Sequence, residues 1–185
     1  MDVIEAIHER QSAGKMSDKS VPRELIEKLL DAGVQAPNHY KVRPWRYVVL
    51  WGRGRQRLGN LMAELFYQKY PDVKPEALEK ERAKPLRSPV IIAVAVEKPL
   101  DPRVIEIENI CAVAAACQNI LLTAHALGLA SHWRTGDAAR DPQIKRFLGF
   151  SEDQFLIAFL YIGYSDIPVE SNTRVGFEDR TIWFE

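Results

Sequence analysis

An α+β fold is what the apolar pattern of this chain predicts, and three stretches carry the prediction. Val90–Val96 and Gln154–Tyr164 are apolar runs of strand length, of the kind found buried on both faces. Between them, Ile107–Ala130 is small and apolar almost throughout and contains no proline. That run predicts a helix of roughly 36 Å at 1.5 Å per residue. Apolar on nearly every face, it needs cover on nearly every face, from a core or a second subunit. Helices and strands follow one another with few strand–helix–strand alternations, which favours α+β over α/β. The 185 residues are 46% hydrophobic, an ordinary globular composition, and read as one domain, 1–185, without repeats or a linker.

The elements follow in chain order. Residues 2–11 place Val3, Ile4 and Ile7 on one face of a short amphipathic helix, which runs into a polar turn, Arg10–Lys15. A second helix starts near Ser20 or Val21, with Pro22 in its first turn, and continues to about residue 36 before Pro37 stops it. Pro37–Pro44 is a loop bounded by prolines. Trp45–Trp51 reads as a strand that ends at Gly52. Residues 54–70 form an amphipathic helix, and a charged, solvated one runs from Pro75 to near Pro85. The long helix stops at Gly128, and a short strand around His132–Gly136 presents an aromatic ring and a cation. Residues 141–148 make a short helix. The tail after Ser165 is polar but ends in Thr181–Phe184, a segment suited to pairing as a strand on another subunit.

Composition excludes several classes. Basic and acidic residues balance at 25 each, so no global field steers nucleic acid or an anionic membrane. Gln118, Asn119, Thr123 and His125 interrupt the long apolar run and argue against a membrane span. The first twelve residues lack the cationic start and apolar core of a signal peptide. Cys111 and Cys117 lie about 120° apart on the helix, which suits neither a disulfide nor a metal pair. They read as two buried thiols in a reducing compartment, so a cytoplasmic location is expected. The histidines, at 8, 39, 125 and 132, are scattered, and no metal site is expected. Neither G-x-G-x-x-G nor G-x-x-x-x-G-K-[ST] occurs, nor does HExxH, CxxC or G-x-S-x-G. Any chemistry is therefore expected from a bound organic cofactor, with no catalytic side chain named.

Three polar clusters break the apolar pattern. Arg10–Gln11–Ser12 with Lys15 offers a planar fork and a hydroxyl suited to phosphate; on spacing alone a solvated helix end, where the dipole favours Arg, is the better account. Asn38–His39 sits in the proline-bounded loop, as a rigid functional loop or as ordinary turn residues. Trp133–Arg134–Thr135 places a cation beside a ring, at the edge of an aromatic cofactor or in a salt bridge.

Taken together and in order, four motifs resemble the flavin-dependent nitroreductase family, in its compact bacterial form. They are Arg10-Gln11-Ser12; Ala36-Pro37-Asn38-His39 through Pro44-Trp45; Gly128-Leu129 through Trp133-Arg134-Thr135-Gly136; and Phe159-Leu160-Tyr161-Ile162-Gly163. The resemblance spans residues 2–184. It implies a nitroreductase-like fold with a central, mostly antiparallel sheet flanked by helices, in an intertwined homodimer that binds FMN at the subunit interface. Carried over by position, Arg10, Gln11 and Ser12 meet the phosphate and ribityl end, although Gln11 stands where Arg is usual. Lys15 falls near the flavin pyrimidine. Gln35 and His39 approach from the other subunit, Trp133, Arg134 and Thr135 line the flavin, and Arg174 is a basic residue at a variable phosphate-binding position. The implied activity is FMN-dependent NAD(P)H oxidoreduction: hydride passes from NADH or NADPH through flavin N5 to a small acceptor, such as a nitroaromatic or quinone, in ping-pong order. The same scaffold also supports dehydrogenation, flavin breakdown or flavin binding with little turnover.

Overall fold

The computed structural model describes residues 1–167 and 174–185. Its elements are α1 (Val3–Glu9), α2 (Arg23–Val34), β1 (Trp45–Trp51), α3 (Arg53–Lys69), α4 (Pro75–Ala83), β2 (Val90–Val96), α5 (Glu106–Ala126), β3 (Ala130–Arg134), α6 (Asp137–Arg140), α7 (Pro142–Phe147) and β4 (Phe155–Gly163). The strands form one sheet in the order β1-β2-β4-β3, with each neighbouring pair antiparallel. A single parallel bridge, Ser12 to Ser131, lays the segment after α1 along the outer edge of β3.

Strand alternation sends successive side chains to opposite faces of the sheet. Val90, Ile92, Val94 and Val96 pack with Leu29 of α2 and with Val113, Cys117 and Ile120 of α5. Ile91, Ala93 and Ala95 pack on the other face with Leu58 of α3 and Ile144 of α7. Both faces are covered, so every residue of β2 is buried. The register between β2 and β4 slips at Val94/Ala95, where Ile157 is left without a partner. Such a bulge lets Leu156 and Ala158 face opposite cores. The Ile157 carbonyl accepts the Trp133 indole N–H at 3.2 Å.

One expectation needs correction, that of two buried thiols. Cys117 is buried, but Cys111 is exposed, because the two thiols point to different sides of α5. Within one chain α5 is covered on one side only: Ile107 is 57% exposed, and with Cys111 and Gln118 it marks an open stripe. The helix meets the length and composition of a membrane span, yet its buried residues lie in the sheet core. Thr181–Phe184 forms no strand within the chain, and Trp183 and Phe184 are exposed. In α1 the buried residue is Ala6, while Val3, Ile4 and Ile7 face outward. Boundaries shift slightly elsewhere. A one-turn helix, α6, precedes α7, and β3 starts earlier than its polar motif suggested.

Glycine permits one close helix approach. A Cβ on Gly59 of α3 would stand 2.2 Å from the Arg82 carbonyl oxygen of α4, a backbone atom that cannot swing away. Gly59→Ala gains helix propensity of about 1 kcal/mol but must push the two helices apart. The substitution should lower stability by roughly 1–3 kcal/mol in denaturant unfolding; a stabilised variant would contradict the packing. Burial also pushes the Cys117 thiol up to about 12. At pH 8 roughly one such group in ten thousand is a thiolate, the reactive form. Peptide mapping after alkylation of the native protein should find Cys117 unmodified until denaturant is added; labelling at native conditions would show that the core opens there.

Candidate functional site

Two groups of polar residues flank α5, one at each end. At its C-terminal end, Glu9 Oε2 lies 3.7 Å from His125 Nε2, which places the end of α1 and Arg10 there. Arg10 closes α1 through its backbone N–H, which donates to Ala6 O at 3.0 Å. Arg174 donates from Nη2 to the Arg10 carbonyl at 2.9 Å. Partial burial, and then the neighbouring Arg174 cation, lower the Arg10 guanidinium pKa from its ordinary value. Among the described residues neither guanidinium has a carboxylate within salt-bridge distance. A half-buried Arg10 beside the exposed Arg174, two like charges, fits an anion between or beside them. Ser12, exposed, follows on the edge of β3, with Gln11 half-buried before it. Ala13 N–H donates to Ser131 O at 3.0 Å. The Ala13 carbonyl accepts from His132 Nδ1 at 2.9 Å, which requires the proton on that nitrogen. Lys15 is exposed on the same segment.

β3 leads from this edge into a cavity of about 870 Å³ on the sheet face beneath α3. His132 and Arg134, opposite Tyr161 and Phe159 of β4, face it. Thr135 and Gly136 form its rim where β3 ends. The Arg134 guanidinium lies 5.4 Å from the Tyr161 ring centroid, and its Nε is buried without a hydrogen-bond partner. Trp133 borders the cavity, but its ring packs against the α5 core, held by the Ile157 carbonyl. Its side chain and those of His132 and Arg134 therefore leave β3 on opposite faces.

At the N-terminal end of α5, His39 Nδ1 stands 2.9 Å from Glu108 Oε2. That carboxylate also accepts the Ile105 N–H at 3.2 Å, and His39 followed by Ile105 holds its pKa below the usual carboxylate range. The loop carrying His39 is wound tightly. Tyr40, Lys41 and Arg43 all have positive φ, at 48°, 53° and 52°, which costs energy in residues with a Cβ. Asn38 holds the turn by accepting the Arg43 N–H at 2.9 Å and donating to Ala36 O at 3.3 Å. His39 lines a groove of about 430 Å³ with Ile107, Cys111 and Ala115 on the open stripe of α5. Gln35, exposed at the end of α2, donates to Asp31 O at 3.4 Å.

Glu108 and His125 are seventeen residues apart on one helix, about 25 Å along its axis. A single chain thus presents Arg10, Ser12 and Arg174 at one end of α5 and His39 at the other. Sequence reasoning did not find Lys84, Arg87 and Arg140, which line the cavity from separate segments, and Tyr161 entered it only as part of the Phe159–Gly163 motif. Their one local signal is the basic run Lys84–Arg87 just before an apolar strand, a pattern that a solvated helix end shows equally. Among the described residues no group of His, Cys, Asp and Glu is arranged to hold a metal.

Comparison with known proteins agrees with this architecture. The model of the nitroreductase family matches residues 7–164. A protein of Methanothermobacter thermautotrophicus named "Putative NADH dehydrogenase/NAD(P)H nitroreductase" is 34% identical over 190 residues, covering 100% of this chain and 87% of its own. The crystal structure of a nitroreductase-like family protein from Bacillus cereus superposes with a TM-score of 0.86 at 28% identity, covering 100% of this chain and 97% of that one. A nitroreductase with bound FMN from Bacteroides fragilis shares the fold at a TM-score of 0.74 and 20% identity, covering 99% of each chain. With its sheet order, its long central helix and this match over most of its length, the chain belongs to the nitroreductase family.

Proposed function

We propose that this protein is an FMN-dependent NAD(P)H oxidoreductase whose cofactor site is completed by a second copy of the chain. The observation that carries the reading is the pairing of a half-buried Arg10 with an exposed Arg174, without a carboxylate among the described residues, at one end of the β3 edge, with a cavity at the other. A phosphate supplies the missing negative charge and takes charge-assisted hydrogen bonds from a guanidinium. Ser12 adds a hydroxyl beside the ribityl chain, with Gln11 and Lys15 on the same segment. Arg134 and Thr135 border the ring, and Trp133 fixes their strand from the core side. The relative with bound FMN supports this choice of cofactor. The chemistry that FMN supplies when bound is two-electron transfer from NADH or NADPH to a small acceptor, with nitroaromatics and quinones as the first to test.

The second copy follows from the exposed surface. Val3, Ile4 and Ile7 of α1, the open stripe of α5 and the terminal Ile182–Phe184 are apolar and uncovered. An isologous pairing of two α5 stripes in opposite directions would bring the His39 end of one chain to the Arg10 end of its partner. Gln35 and His39 would then approach the cofactor held by the other protomer, and the terminal segment would cross to the partner. The pairing turns two half-sites into two whole ones.

The enzyme reading is tested by anaerobic mixing of the flavin-loaded protein with NADH or NADPH. Bleaching of the flavin absorbance supports it, and a loaded protein that neither nucleotide reduces would reject it. The cofactor-binding reading is tested at Arg10. A charge-assisted contact is worth ~1.5–3 kcal/mol, so Arg10→Ala should weaken FMN binding by roughly tenfold to a hundredfold. Riboflavin, which lacks the phosphate, should bind the wild type and Arg10→Ala alike. Equal weakening of both ligands would indicate a general defect, and no change in either would leave Arg10 as a helix terminus.

A further inference from the structure

The charges lining the 870 Å³ cavity do not balance. Among its five cations, Lys84 is paired with Glu81, and Lys69 lies 3.7 Å from Asp137. The remaining carboxylate, Asp141, caps α7 by accepting the N–H groups of Gln143 and Ile144 at 2.7 and 3.3 Å. Arg87, Arg134 and Arg140 have no salt-bridge partner among the described residues. Arg134 lies over Tyr161, and its Nε is buried and unpartnered. Burial raises the Tyr161 phenol, and Arg134 and Arg87 pull against it, which places both guanidiniums near that ring. Arg140 is exposed on α6 at the mouth. Phe66, Tyr70, Phe159 and Tyr161 supply flat aromatic walls. A concave pocket of this size, with aromatic and apolar walls and a few convergent cations, has the form of a site for a small ligand.

We propose that the space in this cavity beside the flavin ring is the acceptor pocket and that it selects flat aromatic acceptors bearing an anionic substituent, gripped by Arg134 within and Arg140 at the mouth. The proposal rests on the oxidoreductase reading and adds the acceptor class to it. Aromatic side chains take the ring and exclude water. The half-buried Arg134 then meets a carboxylate or sulfonate where the charge interaction is less screened than in water, and the exposed Arg140 adds a contact at the mouth. A neutral acceptor would leave three cations lining the pocket without an anion. The preference therefore comes from the partly buried Arg134, whose Nε has no partner, and from the attraction of all three cations to the bound anion.

The test compares 4-nitrobenzoate with 4-nitrobenzamide, its neutral near-isostere, by calorimetric titration and by kcat/KM with the FMN-supplemented protein. The carboxylate should bind about tenfold to a hundredfold more tightly. Arg140→Gln and Arg134→Gln should each reduce that ratio, and Arg140→Lys, which keeps the charge, should retain part of it. Arg140 is exposed, so its variants test the proposal even if Arg134→Gln fails to fold. Flavin occupancy is read first from the absorbance. If the wild type holds no FMN, the oxidoreductase reading fails while the calorimetric ratio still decides the preference of the cavity. Equal binding of the two probes overturns the proposal, as does a preference that survives both Gln variants. It is likewise overturned if Arg140→Gln raises only the KM for NADH or NADPH, which would assign the cations to the donor's phosphates. Loss of FMN from the variants with the acceptor ratio intact would assign them to the cofactor.

Discussion

The long helix α5 carries apolar residues around most of its circumference, and one chain covers only one side of it. Val113, Ala116, Cys117 and Ile120 fill the sheet core, while Ile107 and Cys111 lie open. Burying apolar surface contributes about 25 cal/mol per Å², so a stripe of this kind favours association. The residues beside the stripe are small, Ala114 and Ala115 among them, which permits a close backbone approach. The same helix keeps the Arg10 and His39 ends apart within a chain. Core packing depends on this element, and so would the proposed assembly and completion of the site.

Charge is the second theme. The chain as a whole is neutral, with 25 basic and 25 acidic residues, and that balance conceals local imbalance. Arg10 beside Arg174 and the Arg87–Arg134–Arg140 set each gather positive charge without matching carboxylates among the described residues. Elsewhere acids and bases pair on the surface, as in Arg23–Glu27 and Arg46–Glu97. Exposed pairs of this sort contribute little to stability. Of the uncompensated groups, Arg134 Nε is buried without a partner, and such a group is better explained by a ligand than by the fold.

The sheet was legible because period-two and continuous apolar patterns depend on the residues themselves. Val90–Val96 and the β4 run occupy the places their composition predicted. What could not be read depended on partners distant in sequence. Whether Val3, Ile4 and Ile7 face a core depends on what lies opposite, and within this chain nothing does. The orientation of Trp133 depends on a bulge at Ile157, twenty-four positions away, whose free carbonyl receives the indole N–H. Arg10, Ser12 and His39 drew attention as polar residues at the edges of apolar segments. Lys84, Arg87 and Arg140 did not, because their only distinction is the cavity they share after folding.

Subunit mixing tests most directly whether the site is built from two chains. Arg10→Ala and His39→Ala homodimers each carry one defect in both of their sites. In a mixed dimer, a site shared between chains concentrates both defects in one location and leaves the other intact. Co-expressed, differently tagged variants should therefore recover wild-type FMN affinity at half a site per chain. If each chain builds its own site, every site in the mixed dimer keeps a defect, and FMN titration would show no recovery.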